Sequence, residues 1–76
     1  MDMRKLVGRN VRRLRLMAGM TQEQYAELSG FSQQYISDLE RGRRNPTIVS
    51  LFELAQPLGA LPAELISPIE DEVFEG

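Results

Sequence analysis

The 76-residue chain contains no cysteine, no histidine and no tryptophan. Without cysteine it can close no disulfide, and without cysteine and histidine it lacks both zinc ligands and the usual thiol or imidazole groups of catalysis. No arrangement of the remaining side chains suggests an active site, so no enzymatic activity, cofactor or metal is expected, and no small-molecule site is evident. Long apolar runs are also missing. None exceeds four residues, far short of the roughly 20 a membrane-spanning helix needs, and the N-terminus has no charged stretch followed by an apolar one. These absences imply a soluble, cytoplasmic protein. The size allows one small domain, for which folding buries only about 60% of the surface exposed by the unfolded chain, so every apolar residue counts.

One further absence is local: from Thr47 to the end there is no lysine or arginine, only six acids. All nine basic residues lie in residues 1–46, against five acids, so a net charge of −2 hides a front half at +4 and a back half at −6. Such polarity suggests a front half that meets an anion, although a merely solvated charge run would give the same balance.

Along that front half, Val7, Val11, Leu14 and Ala18 recur at the period of an amphipathic helix over residues 5–18, with Lys5, Arg9, Arg12 and Arg13 on the opposite face. Leu16 also falls on the basic face, where periodicity does not explain it. Gly19 stops the helix. Thr21-Gln22-Glu23-Gln24 matches a capping box opening a second helix, with Met20 and Tyr25 as its hydrophobic staple and Gly30 as its end. Ser32 caps a third helix, with Phe31 and Ile36 as staple, that reaches Arg41 before Gly42. Two short helices joined by about three residues around a glycine are the pattern of a helix-turn-helix, here over residues 21–41. Thr47 caps a fourth helix whose core stripe is Ile48, Leu51, Leu54, Ala55 and Leu58, and Pro57 should kink or end it near Gln56. Pro62 opens a short fifth helix to Ile66. The domain is therefore expected over residues 1–66, followed by an acidic, flexible tail over 67–76.

With Ile36 and Leu39 facing inward, Gln33, Gln34, Ser37, Asp38 and Arg41 share the outer face of the third helix. A helix fits the DNA major groove, where glutamine pairs with adenine, serine donates or accepts, and aspartate can accept from the cytosine amino group. A polar outer face is also what any surface helix shows. Phosphate contacts are expected from Gln22, from Ser32, from Arg41 and from the loop residues Arg43, Arg44 and Asn45, because helix N-termini and arginine both bind anions. The basic face of the first helix adds long-range attraction or simply solubility. Arg15 and Glu40 lie beside the apolar stripes of two helices that must pack together. They are expected to form a partly buried ion pair that fixes how those helices dock.

Together, Val11-Arg12-Arg13-Leu14-Arg15, Met20 through Gly30, Tyr35 through Gly42, and Arg44-Asn45-Pro46-Thr47 carry a family resemblance. The chain resembles, over residues 5–66, the Xre-type helix-turn-helix proteins, the Cro/CI-like group that includes phage repressors and the controller proteins of restriction-modification systems. The resemblance implies an all-α, compact five-helix lambda-repressor-like fold, helices two and three as the DNA-binding pair, base reading by Gln33, Gln34 and Asp38, and an Arg15–Glu40 ion pair. Three positions depart from the family pattern: Tyr25 stands where leucine is usual, Pro57 interrupts helix four, and Leu61 replaces a small polar cap.

A chain of this length has no room for a separate dimerisation domain, so self-association is expected through the domain itself. Val49, Phe52, Leu61, Leu65 and Ile66 are the candidate surface, unless helices four and five simply pack on each other. Ile69, Val73 and Phe74 would extend it, against the plainer reading of a disordered tail. The function expected is a sequence-specific regulator that binds a palindromic operator in double-stranded DNA as a homodimer and acts as a repressor or autoregulator. The competing expectation is an antitoxin-like or adaptor module whose acidic back half binds a protein partner.

Overall fold

The computed structural model describes residues 1–68. Among these, five α-helices and one 3-10 turn follow in order: α1 (Met3–Met17), α2 (Gln22–Ser29), α3 (Gln33–Glu40), α4 (Ile48–Ala55), the turn Gln56–Leu58, and α5 (Pro62–Leu65). The fold is all-helical, and no helix among the described residues is long and apolar enough to cross a membrane.

Each start has a side-chain cause. Asp2 Oδ1 accepts the backbone N–H groups of Arg4 at 3.1 Å and Lys5 at 3.4 Å, which begins α1 two residues earlier than the apolar period indicates. Thr21 and Gln24 exchange capping-box hydrogen bonds at 3.1 and 2.9 Å. Ser32 and Thr47 cap α3 and α4 by accepting the Tyr35 and Ser50 N–H groups, both at 3.0 Å. Leu61 has no polar side chain to offer, and the Glu64 carboxylate instead reaches back to its N–H at 2.6 Å. Pro57 ends α4 at Ala55 and turns the next residues into a 3-10 turn, as a missing N–H requires. Gly30, at φ +83°, gives α2 the left-handed end that lets α3 follow after only three residues.

The core consists of Val7, Val11, Tyr25, Ala26, Ile36, Leu39, Leu54, Ala55 and Leu65, with Leu14, Met20, Phe31, Tyr35, Leu51 and Leu58 half-buried against it. α2 packs on α3, α1 crosses α3, and α5 closes against α1 and α4. The crossing of α1 on α3 is close because Gly8 has no side chain: a Cβ there would clash with the Leu39 carbonyl oxygen and lie 2.9 Å from that of Glu40. Tyr25, the departure from leucine in α2, uses its hydroxyl. Its hydroxyl donates to the Leu54 carbonyl at 2.6 Å, inside the core, and so ties α2 to α4.

Four expectations are corrected. Ile48 is 85% exposed rather than in the core, because α4 packs on α5 and the 3-10 turn, which follow its C-terminal half, and its first turn projects past them. Leu65 is fully buried in the core and so is not available as a dimer contact. Ala18 is the exposed C-cap of α1, past the last helical turn that reaches the core, while Leu6 takes a buried place the stripe did not include. Ser67 is not a free tail residue: the buried Asn10 side chain donates to the carbonyls of Leu65 at 3.0 Å and Ser67 at 2.8 Å, holding the chain after α5 against α1. Ile69, Val73 and Phe74 lie outside the described residues.

Candidate nucleic-acid interface

The position of α3 is set by one polar cluster. Arg15 grips Glu40 through two nitrogens, Nε to Oε2 at 2.7 Å and Nη2 to Oε1 at 3.0 Å, and its third nitrogen donates to the Met20 carbonyl at 2.8 Å. The two side chains are 8% and 4% exposed, so the pair is deeply buried. One arginine thus joins α1, the α1–α2 connection and the end of α3. Gln22 completes the cluster, its Nε2 donating to Glu40 Oε1 at 3.1 Å. The phosphate contact expected of Gln22 did not foresee this one: in the free protein its side-chain amide is half-buried and directed at the ion pair.

From this anchorage α3 directs its polar residues away from the core. Gln33, Gln34 and Arg41 are exposed and Ser37 and Asp38 are half-buried, on the face opposite the buried Ile36 and Leu39. Gln34 and Asp38, four residues apart, are hydrogen-bonded at 3.0 Å. Ser32, at the head of the helix, is exposed, with its hydroxyl occupied by the cap.

The loop after α3 folds back on it. Gly42, at φ +78°, reverses the chain, and the Arg43 N–H donates to the Asp38 carbonyl at 2.9 Å. Arg43, Arg44 and Asn45 are exposed. Arg44 lies over the ring of Tyr35, 5.0 Å from its centroid, and within 3.5 Å of Asp38 Oδ2. Tyr35 in turn stacks on Phe31 at 4.6 Å with 18° between the rings. Burial pushes the Tyr35 phenol above its usual range, with Arg44 opposing. The phenol is therefore neutral at neutral pH, a flat support for the guanidinium.

Gln33, Gln34, Ser37 and Asp38 thus share the outer face of α3, with Ser32 at its head and Arg44 laid against Asp38 and Tyr35, while Asn45 borders a groove with Met3, Arg4 and Ile66. Sequence reasoning missed Tyr35 as the platform for Arg44. The available signal was an aromatic residue one turn after Phe31 on the recognition helix. It also missed Asn10, a polar residue three positions after Val7 and therefore within the apolar stripe.

A helix-turn-helix family model, HTH_3, matches residues 11–66, which includes the whole of this arrangement. An uncharacterized HTH-type transcriptional regulator, y4dJ of Sinorhizobium fredii, is 60% identical over 74 residues, covering 97% of this chain and 96% of the relative. The control protein C.SmaI of Serratia marcescens is 37% identical over 67 residues, covering 88% of this chain and 80% of the relative. Among solved structures, the master regulator for biofilm formation SinR, in complex with DNA, superimposes with a TM-score of 0.76 at 26% identity, over 80% of this chain and 98% of that one. The chain belongs to the HTH_3 family of helix-turn-helix proteins, the Xre-type DNA-binding transcriptional regulators.

Proposed function

We propose that the protein is a sequence-specific regulator that binds a palindromic operator as a homodimer, lays α3 in the major groove and acts as a repressor or autoregulator. The observation that carries this reading is the outer face of α3: exposed Gln33 and Gln34 beside half-buried Ser37 and Asp38, on a helix held by a buried ion pair and flanked by the exposed Arg44. Gln33, Gln34, Ser37 and Asp38 face the base edges, where amide, hydroxyl and carboxylate groups match the donor and acceptor pattern of the major groove. Arg41, Arg43, Arg44, Asn45, the Ser32 end of α3 and the backbone at Gln22 meet phosphates and set the register. The complex of SinR with DNA supports the same use of the fold.

The homodimer reading rests on a second surface. Ile48, Val49 and Phe52 form an exposed apolar face on α4, and Leu61 and Ile66 flank α5, all of them 43% exposed or more. A small domain that presents such a face gains by covering it, and a second copy related by a two-fold axis covers it symmetrically. That pairing sets two α3 helices about one DNA turn apart, on half-sites roughly 10 base pairs apart. Repression follows by occlusion of a promoter.

Binding isotherms on cognate and scrambled duplexes test the assignment. Gln34→Ala should weaken the cognate duplex by about 1–3 kcal/mol and leave the scrambled one unchanged, whereas Arg44→Ala should weaken both about equally. Uniform losses in both variants would overturn the division into reader and clamp. A stable complex with a different protein, in place of a homodimer, would favour the adaptor reading.

A further inference from the structure

Asp38 is the one carboxylate on the outer face of α3, and in the free protein both of its oxygens are engaged. Gln34 Nε2 donates to Oδ1 at 3.0 Å, and Arg44 lies 3.5 Å from Oδ2. Arg44 is held from its other side by the Tyr35 ring, itself stacked on Phe31. A bare carboxylate directed at DNA is repelled by the phosphates, and the Arg44 guanidinium offsets that charge.

The contact to Gln34 has a directional consequence. A carboxylate only accepts hydrogen bonds, so the nitrogen of the Gln34 amide must face Asp38 and its oxygen must face away. A glutamine side chain otherwise flips its amide end for end and offers donor and acceptor in either order. Adenine presents its N7 acceptor and N6 donor in one fixed order along the groove. Fixing the amide therefore selects the base pair that fits that order.

The geometry points to Asp38 as a positioning residue and not a base reader: it fixes the polarity of the Gln34 amide and couples it to Arg44, so that the reading side chain and a phosphate-binding side chain act as one unit. This rests on the reading of α3 as the recognition helix and reassigns one residue within it.

The test compares wild type, Gln34→Ala, Asp38→Ala, Asp38→Asn and the Gln34→Ala/Asp38→Ala double variant on duplexes that differ from the preferred site at single base pairs. Asp38→Ala and Gln34→Ala should each lose discrimination, on the order of tenfold, at the same base pair, and the double variant should lose no more than either alone. Asp38→Asn, whose amide offers Gln34 a donor as readily as an acceptor and so no longer fixes its polarity, should lose discrimination at that same base pair while binding all duplexes with a steeper salt dependence, because Arg44 has lost its counter-charge. A loss by Asp38→Ala at a different base pair from Gln34→Ala would show direct reading by Asp38 and overturn the proposal, as would unchanged discrimination. A readout without DNA separates this from failure of the underlying reading: the Gln34 side-chain amide resonances of the folded, 15N-labelled protein should shift in both Asp38→Ala and Asp38→Asn, since neither leaves an acceptor-only partner. Resonances that ignore both substitutions would overturn the coupling by themselves. Shifts as expected, with no base-pair discrimination by the wild type, would instead overturn the base-reading function and with it the role of Asp38 in specificity.

Discussion

Arg15 is the residue on which most of the fold's geometry converges, since it satisfies Glu40 twice and the Met20 carbonyl once from a buried position. Removing one member of a buried pair strands the other, so Arg15→Met should cost about 3–5 kcal/mol in urea unfolding, while Arg15→Met/Glu40→Leu should recover much of the loss. A neutral single variant would show that the pair is not what docks the helices. Tyr25 gives a prediction tied to pH. Burial first, then the charges of Glu40 and Tyr35, push its phenol well above the usual value of about 10. The folded state therefore keeps the proton longer than the unfolded state. The stability this represents is constant below about pH 10 and is lost as pH rises beyond it, at up to about 1.36 kcal/mol per pH unit. Tyr25→Phe should be about 1–2 kcal/mol less stable at pH 7, having lost the hydrogen bond to Leu54, and should show a shallower alkaline decline than wild type. At this scale the sequence was legible where two residues flanked apolar stripes, as Arg15 and Glu40 do. It was not legible where a polar side chain answers to backbone more than fifty positions away, as Asn10 does with Leu65 and Ser67. Nor did it show that Gln22 belongs to the buried cluster, since a glutamine after a cap serves a phosphate or a neighbouring carboxylate equally well.

The helices themselves follow closely from local chemistry. Thr21, Ser32 and Thr47 cap where a hydroxyl precedes a periodic run, Gly30 ends α2, and Pro57 and Pro62 place the end of α4 and the start of α5. What periodicity does not supply is the point along a helix where its neighbour begins. For that reason Ile48, on the core stripe by its period, is exposed, while Leu65, which the sequence leaves open between a dimer surface and packing of helices four and five, is in the core. The contact between α1 and α3 has a comparable hidden term, because Gly8 reads in the sequence as a weak helix former and in the structure as the clearance for two α3 carbonyls. Gly8→Ala should therefore destabilise the protein by about 1–3 kcal/mol, although alanine favours helix by about 1 kcal/mol over glycine. Denaturant unfolding reads the sign directly. A gain in stability would mean that α1 and α3 can separate slightly without penalty, and α3 would then be less firmly held than its contacts indicate.

For the molecule as a whole, function follows from a division of surfaces. Basic residues and the polar face of α3 lie in the front half, and the apolar face of α4 and α5 lies in a back half with no lysine or arginine. Phe52→Lys, a charge placed at the centre of that face, should shift the protein to monomer in sedimentation velocity without unfolding it, because Phe52 is 54% exposed and outside the core. Operator affinity should fall with the loss of the second half-site while single-site contacts persist. Whether two copies present two α3 helices to one symmetric DNA site is decided by selecting the purified protein against random duplex DNA at about 150 mM salt and sequencing what is bound. An enriched inverted repeat with half-sites about one helical turn apart is expected. A well-folded protein that enriches no sequence, or only an unpaired half-site, would contradict it.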